Sequence, residues 1–238
     1  MGRVKIAKKS TFIDMTAMSD VTVLLLTFFM LTSTFLQKEP TTVITPASVS
    51  EEKVQETNVV QVLVSPEGKV WLTMNNDTAQ QYSNDKMRAA LLQRVSEVYN
   101  ETHSQKIQFT ESQKQAFSKL GTFGVPLRNM GEFLDLYYQP EGLTKMDQWL
   151  AGEIPGSPTG IPIDWNKDAD RPNEFQIWMK ALRQTDNEPL KEAIKDGTGV
   201  ALKADENTSF ETVHMVMDNL QTIKMNKFTL LTALKVSE

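Results

Sequence analysis

Hydrophobic and polar positions change rhythm sharply along this chain. From Val21 to Leu36 no residue is charged and most are large and apolar. Roughly 16 residues of helix reach only about 24 Å, slightly less than a hydrocarbon layer of about 30 Å. Starting the helix at Met15 and ending it at Gln37 brings it to full length and places Asp20 inside its inner edge. Residues 41–58 show no sustained period and are rich in Thr, Ser, Val, Pro and Glu, the composition of an extended linker. Then come Val59 to Ser65, the turn Pro66, Glu67, Gly68, and Lys69 to Met74, which together predict a β-hairpin. Residues 85–99 predict a helix with Met87, Leu91, Leu92, Val95 and Val98 on one face.

Between residues 101 and 189 the pattern breaks into short helical pieces separated by Gly- and Pro-rich turns. Thr110-Glu-Ser-Gln113 opens one towards Phe117 and Leu120; further pieces run over residues 130–138, 144–150 and 173–182. Of the aromatic residues here, Tyr137, Tyr138, Trp149, Trp165 and Trp178, most are expected to cover a small core of their own rather than a partner surface. Residues 200–205 predict a strand. Thr208-Ser-Phe-Glu211 has the spacing of a capping box, and Phe210, Val213, Met217, Leu220 and Ile223 follow as an amphipathic stripe, with His214 off it.

Composition narrows the chemistry. Cysteine is absent and histidine occurs only at His103 and His214, so a thiolate metal site, a disulfide framework and a Ser-His-Asp triad lack raw material. No metal and no cofactor are expected. The acids in Asp164-Trp-Asn-Lys-Asp168-Ala-Asp170 lack calcium-loop spacing and predict a solvated turn, as does Asp205 at the end of its strand. No nucleotide loop or nucleophile motif is present, and the chain is not expected to be an enzyme. From Pro40 onward acids outnumber bases 27 to 20, which argues against a nucleic-acid partner. Arg3, Lys5, Lys8 and Lys9 precede the apolar run, an inside-positive flank that puts the N-terminus in the cytoplasm and the rest outside. Asp14 and Asp20 interrupt the apolar onset and no small-x-small cleavage site follows, so the run is expected to be an uncleaved anchor rather than a signal peptide.

Asp20, Thr27 and Thr34 are spaced by seven and share one side of a helix. A carboxyl in low-dielectric surroundings can exist neutral as well as charged, and such a group is costly enough in a bilayer that it is rarely kept without a role. The residues alone leave two readings open. Asp20 carries a proton, or it is a helix-start acid held by the positive end of the macrodipole; the threonines orient that site, or bond their own backbone.

The run Ile13-Asp14-Met15-Thr16-Ala17-Met18-Ser19-Asp20-Val21, followed by Leu24-Leu25-Leu26-Thr27-Phe28-Phe29-Met30, resembles the N-terminal signature of the ExbD/TolR family, with Ala17 where the family's motif has proline. Residues 200–205, the capped helix and residues 228–232 resemble the family's closing strand-helix-strand. The resemblance implies an α+β protein: a cytoplasmic tail (1–14), one transmembrane helix (15–37), a periplasmic linker (38–58) and a small periplasmic sandwich domain (59–238). That domain would be enlarged by a helical insertion at about 101–189.

It further implies a subunit of a proton-driven motor in a bacterial inner membrane. Its expected partners are an ExbB-like ring, a second ExbD-like chain (identical or related), a TonB-like protein and membrane lipid. Asp20 would carry the proton, with Thr27 and Thr34 as pore-face support. Rival readings are a TolR- or MotB-like stator subunit and a membrane-anchored periplasmic binding module.

Overall fold

The computed structural model describes residues 15–32, 39–48, 57–75 and 81–234. The chain divides into two units, Met1–Gln37 and Lys38–Glu238.

The first unit holds α1 (Met15–Thr32), 18 residues without a Gly or Pro to break it. Its threonines bond inward along their own helix: the Thr22 hydroxyl donates to the Met18 carbonyl at 2.8 Å and the Thr27 hydroxyl to the Leu24 carbonyl at 2.9 Å. The large apolar side chains from Met18 to Leu31 are between 51% and 87% exposed on every face. Among the described residues no helix is long and apolar enough to cross a membrane. The expected span of residues 15–37 is thus an 18-residue helix, about 27 Å long and under the hydrocarbon thickness of about 30 Å. Residues 33–37, which would complete it, lie outside the described residues.

The second unit is built on a five-stranded mixed sheet in the order β4-β3-β2-β5-β6. The expected hairpin forms from β2 (Val59–Val64) and β3 (Val70–Asn75), antiparallel with Val64 opposite Val70. Gly68, at φ +78°, supplies the left-handed turn residue and donates its N–H to the Ser65 carbonyl at 2.9 Å. On the other side of β2 lies β5 (Val200–Ala204), parallel to it, and beyond that β6 (Thr229–Leu230), parallel to β5. Parallel neighbours need a crossover, and α8 (Phe210–Thr222) supplies it for β5 and β6. Val60, Val62, Leu63, Val64, Val70, Leu72 and Met74 are all sealed from solvent. Both faces of the central strands are therefore covered, as the runs of consecutive apolar residues require.

Around the sheet stand α2 (Gln81–Thr102), α3 (Glu111–Lys119), α4 (Leu127–Asp135) with a 3-10 turn at Leu136–Tyr138, α5 (Gly142–Ala151), α6 (Glu174–Arg183) and α7 (Glu188–Asp196). Met87, Leu91, Leu92 and Val95 of α2 are buried as the periodicity predicts. Two helix starts carry full capping boxes, Thr110 with Gln113 on α3 and Asn173 with Gln176 on α6. Segment 101–189 enters the sheet as well as covering it. From it comes β4 (Thr122–Phe123), paired with β3 and joined across the strands by the Thr73 and Thr122 hydroxyls at 2.8 Å. Trp178 of α6 is fully buried against Phe117 and Phe123, with ring centroids 5.7 and 4.6 Å away. Gly124 is fixed by a close approach: a β-carbon there would lie 2.2 Å from the Trp71 ring.

Two sequence expectations need correction here. The cap of α8 is Ser209, whose hydroxyl accepts the Thr212 N–H at 3.2 Å; Thr208 instead donates to the Ser65 carbonyl of the hairpin turn at 3.1 Å. With the cap one residue later, the third helical position is Thr212 and the Thr-x-x-Glu box does not form. Phe210 is 76% exposed, because it is the first helical residue and its ring stacks on His214 one turn on, at 5.7 Å, instead of reaching the core. Of the five aromatics most do cover the core, as expected: Trp149 and Trp178 are buried and Tyr137 packs partly buried against it, whereas Tyr138 and Trp165 are exposed.

Candidate functional site

Asp20 sits in the second turn of α1, exposed, and has no hydrogen-bond or ion-pair partner among the described residues. Thr27 lies on the same side, two turns further on, or about 10 Å along the axis. Its hydroxyl is engaged by the Leu24 carbonyl, a bond that uses its proton and leaves oxygen lone pairs outward. Thr34 lies outside the described residues. So α1 presents a carboxylate with no partner among the described residues, and Asp20 is its only ionisable group between Met15 and Thr32.

Residues 39–48, the first described part of the stretch expected to be a linker, are anchored; residues 49–56 lie outside the described residues. Glu39 accepts both contacts of a forked ion pair from the Lys203 ammonium, at 2.6 and 2.8 Å. Val43 is buried. The Ile44 N–H donates to Asp205 Oδ2 at 2.8 Å, and its carbonyl accepts from Glu206 N at 2.7 Å. Then β1 (Ala47–Ser48) pairs in parallel with β7 (Ala233–Leu234). Residues 39–48 thus run as a strap along the end of β5 and onto the C-terminal strand.

Asp205 forms the expected turn, since Oδ1 accepts the Asn207 N–H at 2.9 Å. Its second oxygen makes the strap contact that sequence reading missed. Those two N–H donors, Asn207 first and Ile44 second, hold its carboxyl below the usual carboxylate range against the opposing effect of burial. A signal existed at Lys203, a lone cation in an apolar strand (Val200-Ala-Leu-Lys203-Ala), but nothing local names Glu39 as its partner.

The acid-rich loop around Asp164 is a network of turns. Asn166 Oδ1 accepts Asp168 N at 2.8 Å, Asp168 Oδ1 accepts Asp170 N at 2.9 Å, and Asp164 Oδ1 accepts Asn173 Nδ2 at 2.6 Å. Among the described residues no group of three or more His, Asp or Glu is placed to hold a metal ion. His214, off the apolar stripe as expected, is exposed, with Asp218 at 3.8 Å.

Residues 7–121 match the family described as Biopolymer transport protein ExbD/TolR. Over those residues the chain is similar to the ExbD/TolR family. No curated protein and no solved structure matches it. The family is described as one of biopolymer-transport proteins. The match takes in α1, the strap, the hairpin, α2 and α3, and it ends at Gly121. The closing β5-α8-β6 arrangement, which the sequence resemblance also led one to expect, lies beyond it and forms in this chain nonetheless.

Proposed function

We propose that this chain is the single-pass, proton-carrying subunit of an inner-membrane motor that works within an ExbB-like ring. It would pair there with a second ExbD-like chain and energise a TonB-like partner. The observation that carries the reading is α1 itself: large apolar side chains exposed on every face, with one carboxylate that has no partner among the described residues. A helix apolar all round is stable only when something apolar surrounds it. Lipid on one side and a ring of partner helices on the other meet that need. The N-terminus then lies in the cytoplasm and the second unit in the periplasm.

In that setting Asp20 takes up a proton, becomes neutral, and gives the proton up on the other side. Each proton crossing supplies about 2.3 kcal/mol per 100 mV of membrane potential. Alternation between neutral and charged Asp20 changes which site on the ring α1 prefers. Movement of α1 is delivered covalently to the strap, and the Glu39–Lys203 ion pair and the Asp205–Ile44 bond pass it to the sheet. The partner is gripped at a sheet edge, where unpaired backbone accepts an added strand.

The test is proton flux in proteoliposomes containing the chain and its ring protein. Asp20→Asn should abolish flux and transport together, and Asp20→Glu should keep both in part. Full transport with Asp20→Asn would reduce the chain to an anchored binding module. Peptidoglycan pull-down by the chain would instead favour a stator of the cell wall.

A further inference from the structure

In a chain of net charge −5, one cavity of about 420 Å³ is lined by Arg183, Lys191, Lys195, Lys224 and Lys227 and by no acid. Its remaining wall includes Ile194 and Met225, both buried. Part of this charge has a local explanation. Lys191 pairs with Glu188 at 3.1 Å, Arg183 Nη1 donates to the Ile223 carbonyl at 2.7 Å, and Lys195 sits in the last turn of α7, where cations complement the helix end. Lys224 and Lys227 have no such account. Among the described residues neither has an acidic partner.

The backbone is bent to place them. After α8 the chain closes with Lys224 N–H on the Gln221 carbonyl and Met225 N–H on the Leu220 carbonyl, both at 2.9 Å. This is the paired C-terminal bond pattern whose left-handed residue is usually glycine. Here that residue is Lys224, at φ +62°, a conformation an L side chain adopts at a cost. Lys227 is set by the opposite economy. Its Cβ lies where a β-carbon on Gly197 would be only 2.5 Å away, and Gly197 itself sits at φ +96° at the end of α7. A bulky, charged residue stands at a glycine position, and a glycine makes room for a second lysine stem, both around one cavity.

We propose that this cavity binds a multiply charged phosphate group. Lysine ammonium ions act as point charges without a fixed fork, and several converging on one space favour a dianion over a single carboxylate. The apolar wall accommodates the uncharged body that carries the phosphate. Soluble phosphate esters and anionic lipid headgroups share this chemistry.

The experiment is titration of inorganic pyrophosphate into the full chain in phosphatidylcholine nanodiscs, followed by calorimetry. Saturable binding is expected, weakened about tenfold in Lys224→Gly and again in Lys224→Gly/Lys227→Met. Lys224→Gly should at the same time raise the thermal midpoint, because it relieves the left-handed lysine, so weaker binding cannot be ascribed to a damaged fold. Absence of saturable binding, equal binding in the double variant, or acetate binding as tightly as pyrophosphate would overturn the proposal. Repeating the titration in nanodiscs containing phosphatidic acid, whose phosphomonoester can carry two charges, assigns the source: competition identifies a lipid headgroup, and unchanged affinity a soluble phosphate ester. Both sustain the site.

Discussion

Asp205 holds Ile44 by its backbone, carboxylate oxygen to N–H at 2.8 Å, across 161 positions of sequence. The same carboxylate turns the chain out of β5 through Asn207. One side chain therefore both ends the strand and fastens the strap that leads from α1. Lys203, two residues earlier, fastens the same strap at Glu39.

Replacing Asp205 by Ala should release the strap. The Ile44 and Asn207 amides are expected to exchange with solvent about tenfold faster, with a lower thermal midpoint. The pH dependence has a definite sign. The Asn207 and Ile44 N–H groups lower the folded-state pKa, so this stabilisation is fully present above the ordinary carboxylate range near pH 4. It is lost as pH falls through the depressed value. Denaturation curves between pH 5 and pH 2 should therefore be flatter for Asp205→Ala than for the parent chain, and equal slopes would contradict the assignment.

Glu174 works in the opposite sense. It stands at the start of α6 and accepts the Leu127 N–H of α4 at 2.8 Å, yet burial pushes its carboxyl up, against the pull of Leu127 and Arg128. The folded state then binds the proton more tightly than the unfolded one. Its destabilising effect is absent below about pH 4.3, the ordinary glutamate value, and grows as pH rises towards the raised folded value. Glu174→Gln keeps an acceptor for Leu127 without the charge. It should gain on the order of 1 kcal/mol at pH 7.5 and nothing at pH 4, as read by urea denaturation at both.

Arg88 is a buried guanidinium that donates to the carbonyls of Leu120 at 2.7 Å and Met74 at 2.9 Å. It ties the end of β3 to the end of α3. Arg88→Met fills the space but leaves both carbonyls unpaired. The expected loss is about 3 kcal/mol, measured by chemical denaturation. A near-neutral result would mean that water replaces the guanidinium there.

On α1 the two residues on the Asp20 side should differ sharply. Thr27 gives its proton to the Leu24 carbonyl, so Thr27→Val removes a bond internal to the helix and should change proton flux less than about twofold. Asp20→Asn removes the group that ionises. Equal loss in both variants, measured as flux in the same proteoliposomes, would restore a direct pore role to Thr27.

Much of this protein was decided locally and could be read from sequence. The apolar run from Val59 with its Pro66-Glu67-Gly68 turn fixed the hairpin. The α2 stripe followed from 3.6-residue spacing, and the Thr110–Gln113 box from a cap whose partners are three residues apart. In each case the energy that selects the structure comes from neighbours a few positions away. Where two local choices were close, the sequence misled: Thr208 and Ser209 both cap helices, and only the Ser65 carbonyl waiting for Thr208 settles which one does. The tertiary fold alone brought Glu39 to Lys203, Ile44 to Asp205, β1 to β7, and five cations from α6, α7 and the end of α8 around one cavity. Those pairings join residues far apart in the chain, and side-chain type carries no address. They exist because burying the faces of β2, β3 and β5 leaves a single arrangement of the surrounding chain, and that arrangement, not local preference, sets which charges meet.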